Sequence, residues 1–291
     1  MSKIKIFLVF HQMLDERLSL SEFSASEVKK WFVPYAVNID KQPKKLITLD
    51  GKEISVSSAN KEATIEYELA FHQPMLQARG FLETSCFIHV EKNSLYGNAD
   101  LVGVTQYDMR WTERSARLLR TLSKHNHDEG NVFYKLARYF GFVSDPQKTV
   151  YAQIAGKVMD ASGAFNGMAC ASIVNWDYLL QSYNQFFGTN WSFADLKNQP
   201  LTLWQTYLMP RQQFIALAQW LSSLCEELEP WADKAPHKTH WGALAGYTER
   251  AEALFIALRY ASGEIFIKSL YLEHENSISV ALKVSKDHYE N

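Results

Sequence analysis

Short apolar runs that end in polar residues recur along this chain. Ile4–Phe10 is apolar at every position except Lys5 and ends at His11, and Leu101–Val104 is followed directly by polar and charged residues. Their length and β-branched content favour buried strands over turns of helix, and strands without a polar face are typical of parallel sheets. We therefore predict an α/β protein whose ligand binds beyond the carboxyl ends of these strands.

Apolar residues at helical spacing predict the helices between the strands. The expected segments are a short helix within 21–32 capped by Ser24 or Ser26, an amphipathic helix over Ala63–Arg79 with an irregularity at Pro74, and helices over Thr112–Ser123, Val150–Met159, Trp176–Phe187 (ended by Gly188) and Arg211–Glu229. A last helix opens near Leu244, with Thr248 as its cap and Glu249 in its first turn, where the helix dipole stabilises a carboxylate.

Further strands and turns complete the pattern. Strands are expected at Cys86–Val90, Gly163–Val174, Ile265–Glu273 and Ile278–Val284, and a loop or small hairpin at 38–60 around Asp50-Gly51. The many small residues in Gly163–Val174 would let a ligand or another backbone approach closely. No internal repeat or low-complexity linker divides the chain, so we predict one continuous α/β domain.

Composition limits the class of protein more than it specifies a function. The 291 residues are 47% hydrophobic, enough for a large core, and the net charge of −2 lacks the basic character expected of a nucleic-acid-binding protein. Cys86, Cys170 and Cys225 lie far apart, which predicts free thiols in a reducing compartment. No signal peptide or membrane-spanning stretch is recognisable. We expect a cytoplasmic protein, with contact to the inner membrane through Lys29, Lys30, Trp31 and Phe32 as an option.

The common nucleotide-binding loops are missing from the sequence. No Gly-x-Gly-x-x-Gly or Gly-Lys-Ser/Thr loop follows a predicted strand, which argues against a Rossmann dinucleotide site and a P-loop. The stretches His125–Asp128 and His237–His240 contain closely spaced histidines. Loop-borne histidines without a further paired ligand are more typical of exposed polar sequence than of a metal site.

The residues that follow the strand Leu101–Val104 are the first candidates for ligand binding. Gln106, Tyr107, Asp108 and Arg110 would point into the crevice beyond the carboxyl end of this strand. The next helix has a basic face, either solvated or in contact with an anion, formed by Arg114, Arg117 and Arg120.

The order of several loose motifs resembles one family. This family comprises the bacterial glycosyltransferases of capsule and O-antigen synthesis that include galactofuranosyltransferases, long treated as a domain of unknown function. The matching segments are Leu8–His11, Glu68-Leu69 ahead of Phe71, Asp100–Gly103 with Gln106-Tyr107 and Trp111, Asn166-Gly167-Met168, Trp220-Leu221, and Gly246 with Glu249-Arg250. Gln106 and Asp108 stand where the family has His and Arg.

The resemblance implies a GT-A-like α/β fold with a single mixed central sheet flanked by helices. It implies one domain over 1–291, with a nucleotide-binding half over 1–110 and an acceptor-binding half over 111–291. The implied activity is transfer of a sugar from a UDP-linked donor to a glycan or lipid-linked glycan in surface polysaccharide synthesis, by an inverting enzyme of hexosyltransferase type.

The resemblance also implies a divalent cation on the donor diphosphate. The charge of a departing diphosphate must be neutralised, and carboxylate oxygens hold hard cations such as Mn²⁺ or Mg²⁺. Asp108 is the natural candidate for this metal and for catalysis, and Asp100, at the start of the strand, is a poorer one. Without a metal, Arg110 or Arg114 would take over the neutralisation.

The remaining site residues follow from the same resemblance. An inverting enzyme needs a general base for the acceptor hydroxyl, for which Glu249 is the first candidate, with Asp160 and Asp177 as alternatives. The expected donor-binding residues are His11, Gln12, Gln106, Tyr107, Arg110, Asn166 and Arg250. Trp231 and Trp241 would stack on the acceptor sugar.

Two other functions stay open at the level of sequence. The chain could be a non-catalytic nucleotide- or carbohydrate-binding protein of the same fold, because the family's His and first Arg are replaced and only one Asp is present. It could also be a hydrolase or phosphatase that binds a transition metal through His125, His127 and Asp128. Nucleotide binding would distinguish the glycosyltransferase and the non-catalytic binding protein from the metal-dependent hydrolase or phosphatase.

Overall fold

A computed structural model describes residues 3–37, 44–57, 59–124, 145–157, 176–234 and 244–274. A seven-stranded mixed sheet forms the centre of this part of the chain. Its strands are β1 (Ile4–Phe10), β3 (Phe32–Ala36), β6 (Thr64–Ile65), β7 (Leu101–Gln106), β9 (Thr149–Lys157), β10 (Pro200–Pro210) and β11 (Phe266–Ser269). The shorter strands are β2 (Met13–Asp15), β4 (Lys44–Ile47), β5 (Glu53–Val56), β8 (Met109–Trp111) and β12 (Leu272–His274).

The helices lie on both sides of this sheet, as the alternation of strands and helices along the chain requires. They are α1 (Glu16–Ser19), α2 (Ala25–Trp31), α3 (Pro74–Ala78), α4 (Thr84–Lys92), α5 (Glu113–Lys124), α6 (Trp176–Phe187), α7 (Phe193–Leu196), α8 (Arg211–Leu228) and α9 (Leu244–Ala261). Short 3₁₀ turns occupy Glu66–Glu68, Pro146–Lys148 and Glu229–Lys234. The predicted architecture, a mixed central sheet flanked by helices, is confirmed.

The strand order of the central sheet is β11-β9-β10-β7-β1-β3-β6. All neighbouring pairs are parallel except those of β10, which runs antiparallel to both β7 and β9. The two apolar runs of the sequence, β1 and β7, are adjacent, with Ile4 opposite Leu101 and Val9 opposite Gln106. Their carboxyl ends therefore meet at one edge of the sheet.

Side chains of β1 alternate between two hydrophobic cores, one on each face of the sheet. Phe7 and Val9 belong to the larger core, with residues of α4, α8 and α9. Ile6, Leu8 and Phe10 belong to the second core, with residues of α2 and α5. Because successive strand residues point to opposite faces, burial on both faces explains why this segment is apolar at almost every position.

Several predicted elements are confirmed. Ser24 caps α2 in a capping box with Glu27, and Gly188 follows α6 with a left-handed φ of +64°. The hairpin around Asp50-Gly51 is formed by β4 and β5, and a third strand, β2, pairs with β4. The predicted strand over 265–273 is present as two strands, β11 and β12. The strands predicted at 163–174 and 278–284 lie outside the described residues.

The predicted amphipathic helix over Ala63–Arg79 is wrong. Its first part forms β6, which pairs with β3, and a 3₁₀ turn at Glu66–Glu68. A new helix, α3, begins at Pro74, which occupies the first turn. Proline has no N–H group and a fixed φ, so it favours a helix start over a helix interior.

Cys86–Val90 and the described part of Val150–Met159 have the opposite types to those predicted: the first is helical and the second is a strand. Cys86–Val90 lies within α4, where every residue from Thr84 to Val90 is buried. Total burial removes the periodicity that separates a short buried helix from a strand. Thr149–Lys157 forms β9, which hydrogen-bonds to strands on both sides, so sheet pairing overrides its helical pattern.

Helix α9 begins at Leu244, one turn earlier than its predicted cap. Thr248 and Glu249 therefore lie in its second turn, and the predicted cap at Thr248 is wrong. The Thr248 hydroxyl donates to the backbone carbonyls of Leu244 and Ala245, at 3.3 and 3.0 Å. Hydroxyl groups inside helices commonly bond to the preceding turn in this way.

The aromatic residues suggested for a membrane contact are part of the second core. Trp31 is 3% and Phe32 4% exposed, and both rings pack edge-on against Phe23. The predicted contact through these two rings is therefore wrong for this structure. No helix in the described ranges combines the length and the apolar character needed to span a bilayer.

Gly103 lies where β7 approaches β10 most closely. A Cβ atom at this position would lie 2.6 Å from the carbonyl oxygen of Tyr207, a backbone atom that cannot turn aside. We expect Gly103→Ala to lower the free energy of unfolding by about 1–3 kcal/mol, the usual range for overpacking. Urea denaturation followed by far-UV circular dichroism measures the change, and an unaltered midpoint would contradict the close approach of the two strands.

Candidate active site

The carboxyl ends of β1 and β7 form the walls of a cleft of about 400 Å³. The described residues that line it are His11, Gln12, Met13, Asp15, Leu18 and Tyr107. Met13, Leu18 and Tyr107 expose 47%, 55% and 40% of their surface. Exposed apolar and aromatic groups beside a few polar ones suit a small-molecule site, and in an open α/β sheet this edge is the expected place for it.

His11, the first residue after β1, has a defined position in the cleft. Its Nε2 atom lies 3.0 Å from Oε1 of Glu83, which is buried behind it. Its ring meets the Tyr107 ring edge to face, with 6.3 Å between centroids. Asp15, on the same wall, accepts two hydrogen bonds from the Arg17 guanidinium, and these lower the pKa of the Asp15 carboxyl.

Asp108 lies in contact with His274, a residue that was not predicted from the sequence to belong to the site. Asp108 lies in the turn between β7 and β8, and its Oδ2 atom is 3.1 Å from Nε2 of His274. The pairing of β8 with β12 places Met109 opposite His274, which brings the histidine 166 positions along the chain to this turn. Both side chains are 21% exposed. Asp100, the other candidate, lies at the opposite end of β7, where its carboxylate accepts the Lys3 N–H.

The arginines expected to neutralise phosphate are engaged elsewhere. Arg110 pairs with Glu22 at 3.2 Å and Glu273 at 3.4 Å. The Arg114 guanidinium stacks on the Tyr271 ring at 3.6 Å. Each would have to give up these contacts to bind a ligand, so a role in phosphate binding stays a prediction.

The remaining arginines of α5 serve structural contacts. Arg120 pairs with Glu27 at 2.7 Å, and this contact lowers the pKa of Glu27 to about 2. Arg117 pairs with Glu113 one turn earlier in the helix. The basic face of α5 is thus a set of ion pairs with α2 and with α5 itself.

A bulge in β10 lies beside the end of β7. The register between β10 and β9 shifts between Thr202 and Tyr207, and Trp204 and Gln205 take left-handed φ values of +69° and +43°. Non-glycine residues in this region cost roughly 1–3 kcal/mol each and persist only where their surroundings hold them, often at functional sites. The bulge is therefore a second feature, after the cleft, that is typical of a functional site at this edge of the sheet.

Glu249 and Arg250 face this bulge from α9. The Trp204 backbone N–H donates to Oε1 of Glu249 at 2.7 Å, and Oε2 lies 3.5 Å from the Arg250 guanidinium. Glu249 is 15% and Arg250 13% exposed, and Nε of Arg250 has no hydrogen-bond partner among the described residues. The base role of Glu249 and the donor-binding role of Arg250 remain predictions.

Gln106 joins a buried polar cluster under the cleft. Its Nε2 atom donates to Oε1 of Gln205 at 3.5 Å, and the Gln205 amide nitrogen donates to Glu252 Oε1 at 2.9 Å and to Thr84 Oγ1 at 3.0 Å. Glu252 is fully buried, and desolvation raises the pKa of its carboxyl well above the ordinary value. The sequence contains one indication that Glu252 is buried: it lies one turn after Glu249 among apolar residues of the same helix.

The other predicted site residues are less informative. Trp231 lies in the 3₁₀ turn after α8 and packs against the larger core. It is not among the described residues that line the cleft. Asp177 is in the first turn of α6. Asn166, Trp241, Asp160 and the histidine stretches 125–128 and 237–240 lie outside the described residues, as does Cys170.

The residues at the cleft fit a divalent cation of the kind expected. Within the described ranges, no three His, Cys, Asp or Glu side chains form a ready-made metal cage. Magnesium and manganese at phosphate sites need only one or two protein ligands, because phosphate oxygens and waters complete the shell. The Asp108 carboxylate, next in the chain to Tyr107 of the cleft, is a suitable ligand for either cation, and the His274 imidazole lies 3.1 Å from it.

Neither a protein-family model nor a curated protein sequence matches the chain. Among solved structures, the bifunctional glycosyltransferase WbbM is similar, with a TM-score of 0.53 and 13% identity over 94% of this chain. This chain spans 45% of the length of WbbM.

The fold is that of the GT-A-like glycosyltransferases. Two further structures are similar at a lower level, each with a TM-score of 0.34. The galactosyltransferase LgtC, solved with donor and acceptor sugar analogues, is 10% identical over 93% of this chain and 86% of its own. The core-mannan synthase A of Aspergillus fumigatus, in a Mn/GDP form, is 7% identical over 92% and 73%. The predicted GT-A-like fold is confirmed.

Proposed function

We propose that this GT-A-like protein is a glycosyltransferase that takes a sugar from a nucleotide-sugar donor, UDP-linked in the first instance. The observation that carries the proposal is the Asp108–His274 pair, which follows directly on Tyr107, a residue of a cleft with exposed apolar and aromatic walls. Such walls suit a nucleoside base, and the adjacent pair suits the cation on a diphosphate. The two halves of a nucleotide diphosphate would thus find complementary surfaces side by side.

The proposal gives roles to two residues that line the cleft and to three others at the same edge of the sheet. Tyr107 stacks on the base, and His11, held by Glu83, contacts the nucleoside. Asp108 and His274 would hold Mn²⁺ or Mg²⁺, which supplies positive charge to the leaving diphosphate. Arg250, whose Nε atom has no partner in the described part of the chain, binds the donor from the α9 side.

Glu249 is proposed as the general base of an inverting transfer. A base must lie within hydrogen-bond reach of the acceptor hydroxyl, opposite the departing phosphate. Glu249 is a partly exposed carboxylate held at the same edge of the sheet by the Trp204 N–H and Arg250. The acceptor, a glycan or lipid-linked glycan of a surface polysaccharide, would bind to the half of the domain that follows residue 110, and a cytoplasmic location stays a prediction.

Thermal unfolding with UDP, GDP, CMP and dTDP, each with and without Mn²⁺, tests the proposal first. A ligand at about 100 times its dissociation constant stabilises the folded state by about 2.7 kcal/mol. We expect this shift for UDP, and a larger one with Mn²⁺ present. The absence of a shift with every nucleotide would contradict nucleotide-sugar chemistry at this cleft.

A non-catalytic nucleotide-binding protein of the same fold is the second candidate. It is favoured by the ion pairs that occupy Arg110 and by the backbone hydrogen bond that occupies Glu249. Such a protein would show the same nucleotide shift without hydrolysis or transfer from a UDP-sugar. Release of UDP from a panel of UDP-sugars separates the two functions.

A further inference from the structure

A chain of side-chain hydrogen bonds runs from the backbone of α9 to Gln106, the last residue of β7. We call Thr248, Thr84, Gln205 and Gln106 the polar chain. Thr248 Oγ1 and Thr84 Oγ1 are 2.7 Å apart, Thr84 Oγ1 accepts from the Gln205 amide nitrogen at 3.0 Å, and Gln205 Oε1 lies 3.5 Å from the Gln106 amide nitrogen. The first three side chains are at most 2% exposed, and Gln106 is 8% exposed.

The direction of the polar chain follows from its inner end. The Thr248 hydroxyl bonds to the carbonyl of Ala245 at 3.0 Å. The carbonyl can only accept, so Thr248 donates there, whereas either hydroxyl of the threonine pair can donate to the other. With the Thr248 proton on the carbonyl, Thr84 supplies the proton between the two threonines. The Thr84 oxygen is then an acceptor for Gln205, whose NH₂ group must face it.

The orientation of the Gln205 side-chain amide determines that of the Gln106 side-chain amide. With its NH₂ group toward Thr84 and toward Glu252 Oε1 at 2.9 Å, Gln205 turns its oxygen toward Gln106. The NH₂ group of Gln106 therefore donates to the Gln205 oxygen, and the side-chain carbonyl oxygen of Gln106 is turned away from Gln205. Amide oxygen and nitrogen are assigned from such networks, and the donation from Thr248 to the carbonyl of Ala245 supports this assignment.

We propose that Thr248, Thr84 and Gln205 are positioning residues that fix the Gln106 carboxamide with its oxygen toward the cleft. Gln106 is the last residue of β7, two positions before Asp108. Its oxygen serves there as a fixed acceptor, either for the cation or for a hydroxyl group of the bound nucleotide. This role rests on the proposed function, whereas the direction of the polar chain does not.

Two threonine-to-valine variants separate positioning from a loss of stability. Thr84→Val removes the acceptor for Gln205 and the donor to Thr248 with little change in shape. Thr149→Val is the matched control, because Thr149 is equally buried and its hydroxyl donates to the Asp145 carbonyl, away from the polar chain. Thr84→Ser keeps the hydroxyl and should restore the wild-type behaviour.

The first measurement needs no ligand. Proton exchange of the Gln205 side-chain amide is followed by ¹H–¹⁵N NMR, with the two signals identified by their loss in Gln205→Met. We expect both protons to exchange slowly in the wild type and one to exchange at least tenfold faster in Thr84→Val. Unchanged exchange in Thr84→Val would show that the amide points the other way, and would overturn the proposal.

The second measurement is calorimetric binding of UDP with and without Mn²⁺. We expect at least a fivefold weaker affinity in Thr84→Val, with Thr84→Ser and Thr149→Val at the wild-type value. A loss confined to the Mn²⁺ titration identifies Gln106 as a cation ligand, and a loss in both titrations identifies it as an acceptor for the nucleotide. Equal affinities in Thr84→Val and Thr149→Val would overturn the positioning role. If the wild type itself binds no UDP, the proposed function fails, and the NMR result still decides the direction.

Discussion

Asp108→Ala is expected to remove the Mn²⁺-dependent part of nucleotide binding and to slow sugar transfer by about 10²- to 10³-fold. Groups that stabilise developing charge in a transition state contribute effects of this size. Asp108 would lose its place beside His274, and the leaving diphosphate would lose the charge that this pair holds. Initial rates of UDP release, measured over a range of Mn²⁺ concentrations, report the loss.

Asp100→Ala is the matched control for this variant. Asp100 belongs to the same strand but lies at its other end, where the carboxylate accepts the Lys3 N–H at 2.8 Å. It should cost stability without changing the dependence on Mn²⁺. Equal metal dependence in Asp108→Ala and the wild type would exclude Asp108 as a ligand, and phosphate neutralisation would then fall to Arg110 or Arg114.

Glu249→Gln is expected to lower kcat by about 10²- to 10⁴-fold, the range for loss of a general base, with KM for the donor little changed. The substitution is selective because a glutamine oxygen can still accept the Trp204 N–H that Glu249 accepts at 2.7 Å. The bulge in β10 therefore survives, and only the capacity to take a proton is lost. Steady-state kinetics with a UDP-sugar and its acceptor measure both constants.

Glu249→Ala and Glu264→Gln complete this test. Glu249→Ala loses the hydrogen bond to Trp204 as well, so it should also lower the thermal stability. Glu264 is a half-exposed carboxylate after the end of α9, paired with Arg259, and its replacement by Gln should leave kcat unchanged. Full activity in Glu249→Gln together with low stability in Glu249→Ala would make Glu249 a support for the bulge, and Asp177 or Asp160 would become the next candidates for the base.

The bulge explains why a carboxylate and a buried amide are needed at this edge. Left-handed φ values at Trp204 and Gln205 are unfavourable by roughly 1–3 kcal/mol each. Glu249 holds the backbone of the first residue, and Glu252 with Thr84 holds the side chain of the second. Two carboxylates of one helix thus fix a strained segment of the strand next to the cleft.

The cleft could be located from the sequence because its walls follow local rules. His11 and Tyr107 come directly after apolar strands, and the carboxyl ends of parallel strands form the ligand edge in α/β folds. The misassigned segments Cys86–Val90 and Thr149–Lys157 carry no comparable local signal. The first is buried on all sides, and the second is decided by its pairing with β10 and β11.

The partners inside the site could not be located in this way. His274 reaches Asp108 only because β12 pairs with β8 in one particular register, and Thr84 meets Gln205 and Thr248 only because α4 and α9 pack together beside β10. These contacts join residues more than 100 positions apart. A single sequence holds no periodicity that reports them.

The sequence by itself determined the α/β class, the two central strands, the long helices and the edge of the sheet where the cleft lies. Those features depend on which faces are apolar over 5 to 18 neighbouring residues, a property that each segment carries alone. The tertiary structure decided which polar groups meet: Asp108 with His274, Glu249 with Trp204, and Gln106 with Gln205. These contacts depend on strand register and on how the helices pack, and both are determined by the packing of the whole core.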